Sequence, residues 1–126
     1  REGERVGAVQ GAEASLQAGI SVLFFPEGER SADGSVTRFK SGAFHLAMQT
    51  GKPVVPLAIW GTQHVLGKHR LMPDRAYQPL AIQVLPALVP ADFDSMQSLR
   101  DAVHARMSEG GRALANEVGP TGRLLA

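Results

Sequence analysis

Residues 20–31 read I-S-V-L-F-F-P-E-G-E-R-S, and the fold is read outward from them. The first six are apolar apart from Ser21. A short apolar run bounded by Gly19 and Pro26 suits a strand buried on both faces. Pro26 has no N–H to offer a ladder, so the strand is expected to stop there. Gly28 can take backbone angles closed to other residues and lets a ligand approach the main chain. Arg30 carries a planar guanidinium suited to a paired grip on phosphate or carboxylate. A strand ending in a glycine turn with an arginine is a plausible anion site at the carboxyl end of a sheet. An ordinary strand-end turn with a solvated ion pair would read the same way.

Upstream, residues 2–18 carry Val6, Val9, Ala12 and Leu16 at helical spacing, with Gly19 placed to cap the end. Downstream, residues 31–37 (S-A-D-G-S-V-T) form a polar turn around Asp33-Gly34. A second helix is expected over 41–50, with Ser41 as N-cap, Phe44, Ala47 and Met48 on one face, and Gly51 ending it. Residues 53–60 are a second apolar run. Residues 61–77 read as a surface connection, with one helical turn at 62–66. Residues 79–88 read as a third strand. A third helix over about 95–116 carries Leu99, Val103, Met107 and Leu114, and Gly110-Gly111 is expected to interrupt or end it. Helices alternating with apolar strands predict an α/β fold, a largely parallel sheet flanked by helices. Residues 1–118 are assigned to one domain and 119–126 to a tail.

Composition narrows the function. The chain has 126 residues and a formal net charge of +1, with no polybasic block of the kind a nucleic-acid surface needs. It contains no cysteine, which excludes disulfides and thiol chemistry and fits a reducing compartment. No stretch approaches the ~20 apolar residues that span a bilayer.

Three blocks carry a resemblance. F-P-E-G-E-R-S at 25–31, R-F-K-S-G-A-F at 38–44 and G-K-P-V-V-P-L at 51–57 resemble, in order and spacing, the Phe-Pro-Glu-Gly-Thr-Arg-Ser, Phe-Lys-x-Gly-Ala-Phe and Val-Pro-Val blocks of the glycerolipid acyltransferases. The likeness covers about residues 1–90. Glu29 departs from it, standing where the family has Thr.

The resemblance implies acyl transfer from acyl-CoA or acyl carrier protein to the hydroxyl of a lysophosphatidate-like acceptor, giving phosphatidate in phospholipid synthesis. It implies no metal and no bound organic cofactor. Arg30 should contact the acceptor phosphate, with Gly28 at the turn, Lys40 a second cation and Arg1 a third. Glu27 should accept from an acceptor hydroxyl or hold Arg30. The enzyme should work at the cytoplasmic face of the membrane, touching it through parts outside this chain. A noncatalytic anion-binding or scaffolding domain is the rival reading. With Glu29 in the loop, glycerol-3-phosphate or another lysophospholipid stays open as acceptor.

The family's base and its orienter form a His-x-x-x-x-Asp motif upstream of the Phe-Pro-Glu-Gly block. The chain is therefore expected to be part of a longer protein and inactive alone. His69 and Asp74 do fit that spacing, but they follow the block and Lys68 replaces the Asn that usually precedes the His. They are read as a chance match. His45 and His104 are read as surface or core-edge residues, and His64 as bordering a strand end. None has a partner set for a metal.

Overall fold

The computed structural model describes residues 2–62 and 80–118, with side chains from Gly7 onward. In chain order the described elements are helix α1 (Glu2–Gln17), helix α2 (Gly42–Thr50), strand β1 (Leu57–Trp60), strand β2 (Ala81–Val84), a 3-10 turn (Pro90–Asp92) and helix α3 (Met96–Val118).

Helix α1 ends as its glycine suggests. Gly19 sits at φ +81°, its N–H reaches Leu16 O at 3.2 Å, and Ile20 N–H reaches Ser15 O at 2.9 Å. This paired closure satisfies carbonyls that the last turn would otherwise leave open. Helix α2 ends on Gly51 at φ +67°, whose N–H bonds to Ala47 O. Its start differs from expectation. Ser41 already has helical angles and its side chain makes no cap bond, while its carbonyl accepts from Phe44 and His45 N–H.

The core lies between α2 and α3. Phe39, Phe44, Ala47, Leu88, Leu99 and Val103 are buried together, edged by Val36, Val54, Phe93 and Met107. Complete burial of Leu99 contributes about 1.5–3 kcal/mol over leaving it in water. On α3 the buried residues Leu99, Val103, Gly110, Leu114 and Val118 form one stripe.

Gly110-Gly111 does not interrupt α3, which runs 23 residues through it. A Cβ at Gly110 would lie 2.9 Å from Leu85 Cδ1 and 3.1 Å from Ala58 Cβ. The missing side chain lets the helix settle onto the strands, a packing gain set against about 1 kcal/mol of lost helix propensity.

The sheet also differs. Among the described residues it has two strands, paired antiparallel with Leu57 opposite Val84 and Trp60 opposite Ala81. Val54 and Leu88 extend the pairing through two backbone bonds of 2.9 and 2.8 Å. The expected largely parallel sheet is thus corrected for this part of the fold. Alternating helices and apolar runs tell which segments are buried, but not which ends of two strands meet. Ala58 faces α3, whereas Ile59, Ile82 and Val84 on the other face are exposed.

Residues 20–25 form no ladder with the described residues, and Leu23 and Phe25 are 67% and 72% exposed. Apolar content favours a strand, but a strand exists only through a neighbour, and no described segment pairs with this one.

A candidate anion loop

The loop after residue 25 is built from its own polar groups. Gly28 N–H donates to Phe25 O at 3.0 Å, turning the chain directly after Pro26. Gly28 has φ +73°, which only glycine adopts without strain. The tip closes on itself. Gly34 N–H donates to Ser31 Oγ at 2.8 Å, and Asp33 Oδ1 accepts from Ser35 N–H at 3.0 Å and Ser35 Oγ at 2.6 Å. Those bonds, the side-chain one from Ser35 first, hold the Asp33 carboxyl below the ordinary aspartate range.

The two arms of the loop are joined twice. Glu27 Oε2 accepts from Thr37 N–H at 2.8 Å and from Thr37 Oγ1 at 2.7 Å. Lys40 N–H donates to Pro26 O at 2.8 Å. At least one Glu27 oxygen therefore fastens the loop, a use that the residue's place in the motif did not suggest. Thr37 was also missed, since a lone threonine after Val36 carries no sequence signal.

The loop brings Lys40 to Gly28. The Lys40 side chain runs through the space that a Cβ at position 28 would fill, with Cε 2.7 Å and Cδ 3.1 Å from that point. Lys40 and Arg30 are both exposed, and Arg30 lies two residues beyond Gly28 on the same turn. The lysine and the glycine turn, 12 positions apart in sequence, thus form one surface. Arg1, and the His69–Asp74 pair, lie outside the described residues.

Below the loop, Phe39 carries the arm into the core. Its ring stacks on Phe44 at 6.0 Å and meets His104 edge-on at 4.8 Å. His104, at the core edge as read, has Nε2 3.0 Å from Thr37 O. A cleft of about 370 Å³ opens here between residues 36–39 and Arg100, Asp101 and His104 of α3. Arg30 and Lys40 do not line it. His45 is exposed on α2.

The acyltransferase family profile matches residues 1–60, a span holding all three sequence blocks and the whole loop. A crystal structure of the 1-acyl-sn-glycerophosphate (LPA) acyltransferase PlsC from Thermotoga maritima superposes with a TM-score of 0.76 at 34% identity, over 85% of this chain and 44% of that one. The chain is similar to acyltransferases, over residues 1–60 in the family profile and over 85% of its length in fold. Two curated acyltransferases are similar in sequence. A chloroplastic 1-acyl-sn-glycerol-3-phosphate acyltransferase of Brassica napus is 51% identical over 51 residues, which is 40% of this chain and 15% of that protein. The 1-acyl-sn-glycerol-3-phosphate acyltransferase of Escherichia coli is 33% identical over 88 residues, or 69% of this chain and 34% of that protein. The chain therefore spans about a third or less of these curated relatives. Its fold is acyltransferase-like, as the superposition on PlsC shows.

Proposed function

We propose that these residues form the acceptor-phosphate grip of a lysophosphatidate acyltransferase. The intact enzyme takes an acyl group from the thioester of acyl-CoA or acyl carrier protein and transfers it to the free hydroxyl of lysophosphatidate, giving phosphatidate. A base from outside these residues removes the hydroxyl proton. The alkoxide attacks the thioester carbonyl, the tetrahedral intermediate collapses with breakage of the C–S bond, and the departing thiolate takes the proton from the base and leaves as the thiol. The reaction takes place at the cytoplasmic face of the membrane, where the acceptor resides. No described helix is long and apolar enough to cross that membrane.

One observation carries this reading: the Lys40 side chain lies against the glycine turn that bears Arg30. A phosphate dianion needs more than one positive donor at short range, and an arginine gives two parallel N–H bonds. The turn at Gly28 has no Cβ, which leaves the room that the Lys40 side chain occupies. Glu27, bonded to Thr37, keeps the loop in this shape.

The test is Arg30→Ala in the intact protein, with thiol release followed at varied acceptor and varied thioester. Charged hydrogen bonds contribute about 1.5–3 kcal/mol, so the acceptor KM should rise roughly tenfold or more. The thioester KM should hold. Unchanged acceptor kinetics would overturn the assignment.

A further inference from the structure

We infer that His104 is a positioning residue for the acceptor. It sits on α3, far along the chain from the loop, and acts on the loop through Thr37.

The contacts fix the ring. A carbonyl only accepts, so at 3.0 Å from Thr37 O the His104 Nε2 must carry the proton. The other nitrogen, Nδ1, faces the Ser108 hydroxyl at 3.5 Å. The ring face or edge is occupied as well, by Phe39 at 4.8 Å and 65°. The Thr37 carbonyl decides that Nε2 carries a proton, and the Phe39 contact holds the ring in the same orientation.

Thr37 is where these ties reach the loop. Its N–H and hydroxyl are both given to Glu27, and its carbonyl to His104. One residue thus joins the Phe-Pro-Glu-Gly turn to α3. Three positions on is Lys40, whose own N–H returns to Pro26. Phe39 fixes the depth of this arm through the core. A ring in a core cannot by itself fix how the backbone on either side is rotated. The hydrogen bond to Thr37 O adds to the ties from Glu27 and Pro26 in setting that rotation, and with it the direction from which Lys40 crosses Gly28.

This inference rests on the phosphate reading of the loop. Its test compares His104→Leu with His104→Gln in the intact protein. Leucine keeps apolar bulk against Phe39 but has no N–H. Glutamine carries an N–H donor at nearly the reach of Nε2. The net worth of one such bond predicts a rise in acceptor KM of about 3- to 10-fold for His104→Leu, with kcat and the thioester KM unchanged. His104→Gln should restore the KM to within about twofold, and amide exchange at Thr37 should quicken only in the leucine variant. An acceptor KM unmoved in His104→Leu overturns the role, as does an equal loss in both variants. Arg30→Ala, run alongside, separates the two failures. If it raises the acceptor KM while His104→Leu does not, only the role of His104 falls. If neither changes it while Thr37 exchange still responds, the phosphate reading falls, and His104 is left as a fold contact.

Discussion

Replacing Gly28 by alanine disturbs the loop in two separable ways. At φ +73° an alanine pays about 1–2 kcal/mol for the left-handed conformation. The stiffer unfolded chain returns about 0.4–1 kcal/mol, so the net loss of stability is about 1 kcal/mol. That corresponds to a fall of roughly 4 °C in the unfolding midpoint for a chain of 126 residues. The second effect is local. The new methyl would lie 2.7 Å from Lys40 Cε, where carbon atoms rest at about 3.5–4.0 Å. A flexible lysine can move aside by that ångström with little cost to the fold, but its ammonium then leaves the turn. Gly28→Ala should therefore lower kcat/KM for the acceptor about as much as Lys40→Ala, by roughly tenfold. The two changes should not multiply, because the second removes a contact the first has already lost. Thiol release at limiting acceptor measures all four members of the cycle, and calorimetry separates the stability term. A Gly28→Ala enzyme with normal acceptor kinetics, or a double variant whose loss is the product of the single ones, would refute the reasoning.

Two glycines on α3 should respond with opposite signs. Gly110→Ala meets Ala58 Cβ and both Leu85 methyls, an overpacking that costs about 1–3 kcal/mol and exceeds the helix gain. Gly111→Ala meets nothing within 4 Å and should stabilise by about 0.5–1 kcal/mol; urea midpoints rank the pair. At the loop tip, Ser35→Ala should raise the Asp33 pKa toward the ordinary aspartate value, read by carboxyl NMR titration. Because the folded value is depressed, the stabilisation it brings is full above the unfolded value of about 3.9 and is lost as pH falls through the lower folded value. In the serine-to-alanine variant that acid-range loss should shrink.

Local punctuation was legible in the sequence. Gly19 and Gly51 end helices where they were expected to, and the apolar marks Leu99, Val103 and Leu114 are the buried stripe of α3. The three sequence blocks carry the likeness to the acyltransferases, and the family match over residues 1–60 agrees. What failed depended on distant partners. The run at 20–25 needed a neighbouring strand. The direction of β2 against β1 was hidden from one-dimensional periodicity. Gly110 looked like a breaker because its value lies in Leu85 and Ala58, residues 25 and 52 positions away. In the loop, Gly28 and Arg30 could be singled out by chemistry and Lys40 by the resemblance, but the fastening of Glu27 to Thr37, and of the Thr37 carbonyl to His104, joins groups that no spacing rule links.

The two hydrogen bonds from Thr37 to a single Glu27 oxygen close the loop at its neck, while Ser31, Asp33 and Ser35 close the tip within itself. The two closures share no hydrogen bond. Extra residues at the tip would then add only the slowly growing entropy of a longer ring, about 0.6 kcal/mol for each doubling. The Asp33-Gly34 corner is in consequence a mounting point, where a fluorophore or an epitope can be grafted without altering the register of the cationic residues below it.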